Sequence, residues 1–168
     1  MSNLVIFLGP PGAGKGTQAV TIAKEKNLAH ISTGDMLREH VSNKTELGKT
    51  AKTLLDKGKL VPDSLVIEML QERLLSKDCV NGAILDGFPR TIAQAESLEN
   101  ISAEFKISKV IVFEANRDEL IKRILNRGET SGRSDDTEES VSVRLEVYEN
   151  DTTPLIEYYE LKNLVAKI

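Results

Sequence analysis

The segment that most limits how this chain folds is the glycine-rich run 9–17. It reads Gly-Pro-Pro-Gly-Ala-Gly-Lys-Gly-Thr and directly follows the apolar run Leu4–Leu8. Glycines allow several backbone N–H groups to turn toward one point, and Lys15 adds a full positive charge there. A strand, a glycine-rich loop and a helix start in this order predict a phosphate-binding loop for a nucleoside di- or triphosphate.

The loop departs from the common phosphate-loop pattern at one position. Gly9, Gly14 and Lys15 align with Gly-x-x-x-x-Gly-Lys-[Ser/Thr], but Gly16 follows the lysine and the hydroxyl comes one residue later, at Thr17. In the common form that hydroxyl ligates magnesium. We therefore expect the metal to be held mainly by nucleotide oxygens and water. The alternative is a glycine-rich turn with a solvated lysine, but it leaves the order of strand, loop and helix unexplained.

Composition limits the remaining classes of protein. A chain of 168 residues with 40% hydrophobic residues suits one compact domain, and its net charge of −4 argues against a nucleic-acid binder. Cys79 is the single cysteine, which excludes an intrachain disulfide and a cysteine-based zinc cluster. The start lacks a basic region, and its apolar run ends at Leu8, so we expect a cytoplasmic protein without a membrane partner.

Apolar runs alternate with segments of helical spacing along the chain. This alternation predicts an α/β fold with a parallel sheet and helices on both faces. Residues 32–61 read as a helical insert in a single domain 1–168, and the polar run 127–137, which contains two glycines, reads as a mobile loop. The predicted strands are Leu4–Leu8, Ala29–Ile31, Ala83–Leu85, Val110–Phe113 and Leu164–Ile168. The predicted helices are Thr17–Glu25, Gly34–Val41, Glu46–Asp56, Ser64–Leu75, Thr91–Leu98, Arg117–Arg127 and Asp136–Glu160.

A second motif follows the predicted strand Ala83–Leu85. Asp86 ends the strand, and Gly87-Phe88-Pro89-Arg90 makes a tight exit from it. Phosphate-loop proteins place a carboxylate beside magnesium at this position, so Asp86 is a candidate metal ligand, directly or through a water. Arg90 would lie at the carboxyl edge of the sheet, where open α/β folds bind ligands. The alternative is a turn aspartate beside a solvated arginine.

Arginines near the polar run are candidates for phosphate binding. Arg123 and Arg127 are four residues apart and share a helical face, while Arg127 and Arg133 flank glycines. A guanidinium stays charged and offers paired donors to phosphate oxygens. His30 and His40 lack metal-ligand companions and are interpreted as structural or surface residues.

With these motifs in place, the chain resembles the adenylate kinase family, within the nucleoside monophosphate kinases. The resemblance covers nearly the whole chain. It implies a P-loop three-layer sandwich with a five-stranded parallel sheet, a helical AMP-binding insert at 32–61 and a short lid at 127–137. The segments that carry it are 9–18 (GPPGAGKGTQ), 31–38 (ISTGDMLR), 58–62 (GKLVP), 85–91 (LDGFPRT) with Gln94, 127–136 (RGETSGRSDD) and Arg144.

The resemblance implies the reaction ATP + AMP ⇌ 2 ADP, with Mg²⁺ bound to ATP, no zinc, and a short lid that closes over the reacting groups. It assigns ATP binding to Gly12, Ala13, Gly14, Lys15, Gly16, Thr17, Arg123 and Arg127. It assigns AMP binding to Thr33, Arg38, Lys59, Leu60, Val61, Gly87, Phe88, Pro89, Arg90, Gln94, Arg133 and Arg144. The catalytic set it implies is Lys15, Arg90, Arg127, Arg133 and Arg144, with Asp86 near the metal.

Three other interpretations stay open. Relatives that act on UMP or CMP more often show Ala at the Thr33 position and Asn soon after the arginine. A non-catalytic nucleotide switch would carry Asn-Lys-x-Asp, whereas the nearest string, 43–46, ends in Glu and follows no strand. A kinase for a small-molecule acceptor would lack the set Thr33, Arg38 and Gln94. We expect a monomer, and a further loop and helix after Ile168, as relatives have.

Overall fold

The protein folds around one five-stranded parallel sheet. The computed structural model describes residues 2–57, 59, 61–101, 105–131 and 138–168. The strand order is β2-β3-β1-β4-β5, and every neighbouring pair is parallel. The predicted α/β fold with five parallel strands is therefore confirmed. The strands are β1 (Ser2–Leu8), β2 (Ala29–Ser32), β3 (Gly82–Asp86), β4 (Phe105–Val112) and β5 (Val165–Lys167).

Helices connect the strands in the order that the alternating pattern predicts. Thr45 begins one of them with a side-chain oxygen that accepts a hydrogen bond from the Gly48 N–H, a standard N-cap. The helices are α1 (Lys15–Lys26), α2 (Thr33–Ser42), α3 (Glu46–Asp56), α4 (Asp63–Leu74), α5 (Ile92–Ile101), α6 (Arg117–Ser131), α7 (Glu138–Val147) and α8 (Thr153–Glu160).

The two faces of the sheet bury different apolar clusters, which makes a three-layer arrangement. Successive residues of a strand point to opposite faces. Phe7 and Ile84 pack with Ala19 and Ala23 of α1 on one face. On the other face, Leu4, Ile6 and Leu8 belong to a larger cluster to which helices α4, α5 and α8 contribute, through Leu70, Leu98 and Leu155 among others. Because both faces are covered, the strands read as nearly continuous apolar runs.

Strand β4 begins five residues earlier than its predicted start at Val110. Residues Phe105–Lys109 pair with β1, whereas β5 pairs only with Val110–Val112. Among the described strands, the first half of β4 therefore pairs with β1 alone, and it carries polar residues such as Lys106 and Lys109. An apolar-run criterion detects only the part of a strand that is buried on both sides, which explains the short prediction.

Two helical predictions need correction. Helix α6 continues to Ser131, so residues 127–131 are helical rather than part of a loop. An existing helix gains one hydrogen bond per added residue, and a single interior glycine costs only about 1 kcal/mol. The helix predicted over Asp136–Glu160 is divided, in its described part, by a π-helical turn at Tyr148–Thr152 just before Pro154. Asp136 itself lies outside the described residues.

Helices α2 and α3 account for most of the described residues in the range 32–61, which is consistent with the helical character predicted there. Whether this segment and 127–137 move as separate units stays a prediction. No helix within the described ranges is long and apolar enough to span a membrane.

Candidate active site

The phosphate loop lies between the end of β1 and the start of α1. Gly12 has a φ of +84°, and a Cβ added there would come within 2.9 Å of Cγ1 of Ile124 on α6, so this position requires glycine. Lys15 is the first residue of α1, and its Nζ donates to the Gly9 and Pro10 carbonyl oxygens at 2.8 and 3.1 Å. The loop thus folds around the ammonium group of its own lysine.

The Lys15 ammonium is unusually easy to deprotonate. Burial removes it from water and lowers its pKa to about 8. The Asp86 carboxylate opposes this change, while the positive charges of Arg90, Arg144 and Arg127 reinforce it. A site where several cations lie near a buried lysine suits an anion, because bound phosphates would stabilise these positive charges.

A cavity of about 600 Å³ opens above the carboxyl edge of the sheet, beside this loop. Its lining contains more cationic than acidic side chains, although the chain as a whole is acidic. The carboxylates that line it are Asp35 and Asp86. The positively charged side chains that line it are Lys15, Arg38, Arg90, Arg123, Arg127 and Arg144.

Asp86 lies at the end of β3, next to the loop. Its Oδ2 is 3.4 Å from Nε2 of His30, and both residues line the cavity. A Cβ added at Gly16 would make an ordinary contact, at 3.5 Å, with the same Asp86 oxygen, so this carboxylate lies directly beside the loop. Mg²⁺ is often held by one or two carboxylates together with substrate phosphates and water, and this donor set fits such an ion.

The described residues contain no group of three or more histidine, cysteine, aspartate or glutamate side chains arranged to hold a metal ion. A magnesium ion that arrives with a nucleotide does not need such a group, because the phosphates supply most of its oxygen ligands.

A side pocket opens from the main cavity between α2, residues Lys59 and Val61, the loop 87–90 and α5. The two spaces share Gly34, Arg38, Gly87, Arg90 and Arg144, so they are parts of one cleft. The other side-pocket residues are mainly apolar, with a few polar groups among them. They are Thr33, Leu37, Leu55, Lys59, Val61, Val66, Phe88 and Gln94.

The loop after β3 is held in place through the carbonyl oxygen of Gly87. Gly87 has a φ of +90°, and its carbonyl oxygen accepts hydrogen bonds from Nε of Arg90 at 2.7 Å and Oγ1 of Thr33 at 3.1 Å. The Phe88–Pro89 peptide bond is cis. These contacts aim the Arg90 guanidinium into the region shared by the two spaces.

Gln94 is a buried polar residue at the wall of the side pocket, with 2% of its surface exposed. Its Oε1 accepts from the Arg90 backbone N–H at 2.7 Å, and its Nε2 donates to Oδ1 of Asp63 at 2.6 Å. Each end of the amide keeps one further hydrogen-bonding position. Gln94 can therefore still present one donor and one acceptor to a planar ligand.

Nearly all the candidate residues line this cleft. Ala13 is the exception among the described ones: it packs against the apolar clusters on either side of the loop. Leu60 and Arg133 lie outside the described residues. The candidates that line the main cavity, the side pocket or both are Gly12, Gly14, Lys15, Gly16, Thr17, Arg123, Arg127, Thr33, Arg38, Lys59, Val61, Asp86, Gly87, Phe88, Pro89, Arg90, Gln94 and Arg144.

Sequence reasoning missed several residues that take part in the site. Thr152 donates from Oγ1 to the Arg90 carbonyl oxygen at 2.6 Å, and Asp35 pairs with Arg38. Asp63 contacts Gln94 as described above. The π-helical turn carries Thr152 to the cleft, and no local pattern predicts that turn. Asp35 lies between Thr33 and Arg38 on the first turns of α2, so their spacing could have indicated it.

Comparison with known proteins agrees with this geometry. The family model described as adenylate kinase matches residues 7–164. The adenylate kinase of Thermus thermophilus is 47% identical over 170 residues, which cover 100% of this chain and 89% of that protein. That of Parabacteroides distasonis is 51% identical over 161 residues, or 95% of this chain and 84% of that protein.

The adenylate kinase of Caldicellulosiruptor bescii is 47% identical over 191 residues, which cover 96% of this chain and 89% of that protein. This alignment is longer than the 168 residues of the chain, so that relative carries extra residues inside the aligned region. The present chain is thus a shorter form. With a phosphate loop, an arginine-lined cleft and matches over almost its full length, this chain belongs to the adenylate kinase family.

Proposed function

We propose that this protein transfers the terminal phosphoryl group of ATP to AMP, reversibly, to give two ADP. The observation that carries the proposal is the continuity of the cleft. The phosphate loop opens on the main cavity, the side pocket adjoins it, and Arg38, Arg90 and Arg144 line both. Two nucleotides bound in these spaces would have their phosphates facing each other across shared positive charge.

Catalysis would depend on position and charge. An oxygen of the AMP phosphate is itself the attacking group, so no side-chain nucleophile is required. Lys15, Arg90, Arg127, Arg133 and Arg144 form the proposed catalytic set, which would stabilise the charge spread over the equatorial oxygens of the transferred group. Holding donor and acceptor in line supplies much of the remaining rate enhancement.

Each nucleotide would have its own binding residues. The ATP phosphates would lie on the backbone of residues 12–17 and on Arg127, with Arg123 nearer the base. AMP would use Thr33, Arg38, residues 59–61, residues 87–90 and Gln94, together with Arg133 and Arg144. Mg²⁺ bound with ATP would be held by the nucleotide and by Asp86, directly or through water, and would neutralise part of the phosphate charge.

Residues 127–137 are the proposed short lid, and residues 32–61 the AMP-binding insert. Closure would exclude water, which would otherwise compete with AMP as the acceptor. We further propose a cytoplasmic monomer that binds ATP, AMP and ADP, but neither nucleic acid nor membrane. The net charge of −4 supports the lack of nucleic-acid binding.

The experiment that tests the function supplies ATP and Mg²⁺ with AMP, UMP, CMP, GMP or no acceptor, and measures ADP formation. We expect rapid ADP formation only when AMP is the acceptor. Comparable turnover with UMP or CMP would support a pyrimidine monophosphate kinase. Equal turnover without an acceptor would identify an ATPase, and binding of ATP without turnover would identify a non-catalytic nucleotide-binding module.

A further inference from the structure

The contact between Asp63 and Gln94 joins two helices that are distant in the sequence. Asp63 is the first residue of α4, and Gln94 lies in the first turn of α5. The distance from Asp63 Oδ1 to Gln94 Nε2 is 2.6 Å. The Gln94 Oε1 accepts a hydrogen bond from the backbone N–H of Arg90 at 2.7 Å. The backbone N–H of Gln94 donates to Oγ1 of Thr91 at 3.1 Å.

These contacts determine which end of the Gln94 amide is oxygen and which is nitrogen. An ionised carboxylate such as Asp63 only accepts hydrogen bonds, and the backbone N–H of Arg90 only donates. If the amide turned by 180°, its oxygen would face the Asp63 carboxylate and its NH₂ would face the Arg90 N–H. Both hydrogen bonds would then be replaced by repulsive contacts in a buried place, where unsatisfied polar groups are costly.

The orientation of this amide determines which purine edge it can pair with. The Gln94 side chain lines the side pocket, where one N–H and one acceptor position remain available to a ligand. At the edge formed by N1 and C6, a 6-aminopurine presents the N1 acceptor beside the amine donor, and a 6-oxopurine presents the reverse pair, an N1–H donor beside the O6 acceptor. The amide would have to turn over to make the same two bonds to a 6-oxopurine.

We infer that Asp63 is a positioning residue for substrate choice: it holds the Gln94 amide in the orientation that pairs with AMP and opposes the orientation that pairs with IMP. The inference rests on the proposed function. Asp63 acts through Gln94, so its effect should appear in the Michaelis constant for AMP and in the preference for AMP over IMP. It should have little effect on the phosphoryl transfer step.

The test compares the intact protein with Asp63→Ala, Gln94→Ala and the double variant, with AMP and IMP as acceptors. For Asp63→Ala we expect the KM for AMP to rise about three- to tenfold, as loss of one buried hydrogen bond does. The kcat should stay within about twofold, and the ratio of kcat/KM for AMP to that for IMP should fall by about the same factor as KM rises. In the Gln94→Ala background, Asp63→Ala should cause no further change, because the two residues act as one unit.

Additive effects of the two substitutions, or an unchanged ratio of AMP to IMP, would overturn the inference. A purely structural role would reduce turnover of both acceptors equally and leave their ratio as it was. If Asp63→Ala does not fold, Asp63→Asn can be tested in its place. Asparagine has the same shape as aspartate but adds an N–H donor, and the oxygen of a turned Gln94 amide can accept a hydrogen bond from it. That variant should still lower the ratio, and an unchanged ratio would equally count against the role of Asp63.

A second control separates this contact from the negative charge at the start of α4. Acidic groups stabilise helix N-termini in general. Ser64 is exposed on the same turn, so Asp63→Ala combined with Ser64→Asp restores the charge without the contact to Gln94. We expect the defect in AMP selection to persist, and its recovery would overturn the inference. Failure of the unmodified protein to phosphorylate AMP would instead refute the proposed function.

Discussion

The phosphate loop and the side pocket form one cleft but are built in different ways. The loop is one continuous segment, residues 9–17, and the folded chain supplies its lysine with carbonyl partners from the same segment. The side pocket combines residues from α2, α3, α4, α5, α7 and two loops. A site made from one segment can be recognised from a motif, whereas a site assembled from distant segments depends on how they pack.

The two regions also differ in the kind of charge they use. The loop relies on Lys15, whose pKa is lowered to about 8, so its charge varies within an accessible pH range. The side pocket has Arg38 and Arg90 at its mouth and the neutral amide of Gln94 in its wall. Arginine stays charged at every working pH. Substitutions and pH changes should therefore affect the two regions separately.

The largest expected effect follows from Lys15→Met. The variant loses a buried charge beside the proposed phosphate site, and we expect kcat to fall about 10²- to 10³-fold, as when a transition-state donor is removed elsewhere. Steady-state kinetics with ATP and AMP measures this. Lys24→Met is the matched control, because Lys24 is exposed on the same helix and should keep normal turnover. Turnover of the Lys15 variant close to that of the control would show that the loop works without its lysine.

A smaller and more selective effect is expected for Gln94→Ala. Loss of both proposed hydrogen bonds to the base should raise the KM for AMP about tenfold to 100-fold, while the KM for ATP stays within about twofold. Asn100→Ala is the control: Asn100 is exposed on the same helix and donates to the Glu96 carbonyl oxygen of that helix. If only the KM for ATP changed, the assignment of Gln94 to the AMP half of the cleft would be wrong.

The smallest expected effect is on pH dependence, and it distinguishes the two regions directly. Bound phosphates favour the charged form of Lys15, so ATP affinity should fall as pH rises above about 8, by up to about tenfold per pH unit. AMP affinity should change much less, because Arg38 and Arg90 remain charged. Calorimetry at pH 7, 8 and 9 measures both affinities, and ATP binding at pH 9 should take up a proton. Equal pH dependence for the two nucleotides would contradict the distinction.

Most of the fold follows from local patterns. All five strands and the order of helices are predictable, because buried parallel strands are apolar throughout and helices repeat every three to four residues. The errors occur where tertiary context changes a local preference. The polar start of β4 is a strand because β1 pairs with it. The break at Tyr148–Thr152 is a π-helical turn inside a segment that otherwise reads as one helix.

The candidate site follows the same division. The motif residues of the loop, Asp86 and Arg90 can be read from the sequence, since each lies at the end of a strand or within a few residues after it. The resemblance to a family adds the acceptor residues. Neither route predicts that Asp63 would contact Gln94 or that Thr152 would hold the Arg90 carbonyl, because those contacts join residues 31 and 62 positions apart.

The sequence by itself determined that this chain makes a parallel α/β fold around a phosphate loop, because periodicity, glycines and charge at fixed spacing act locally along the chain. Only the tertiary structure decided how the arginines converge, why Lys15 loses its proton easily, and which way the Gln94 amide faces. Those properties depend on burial and on partners brought together from separate elements, and no single segment contains that information.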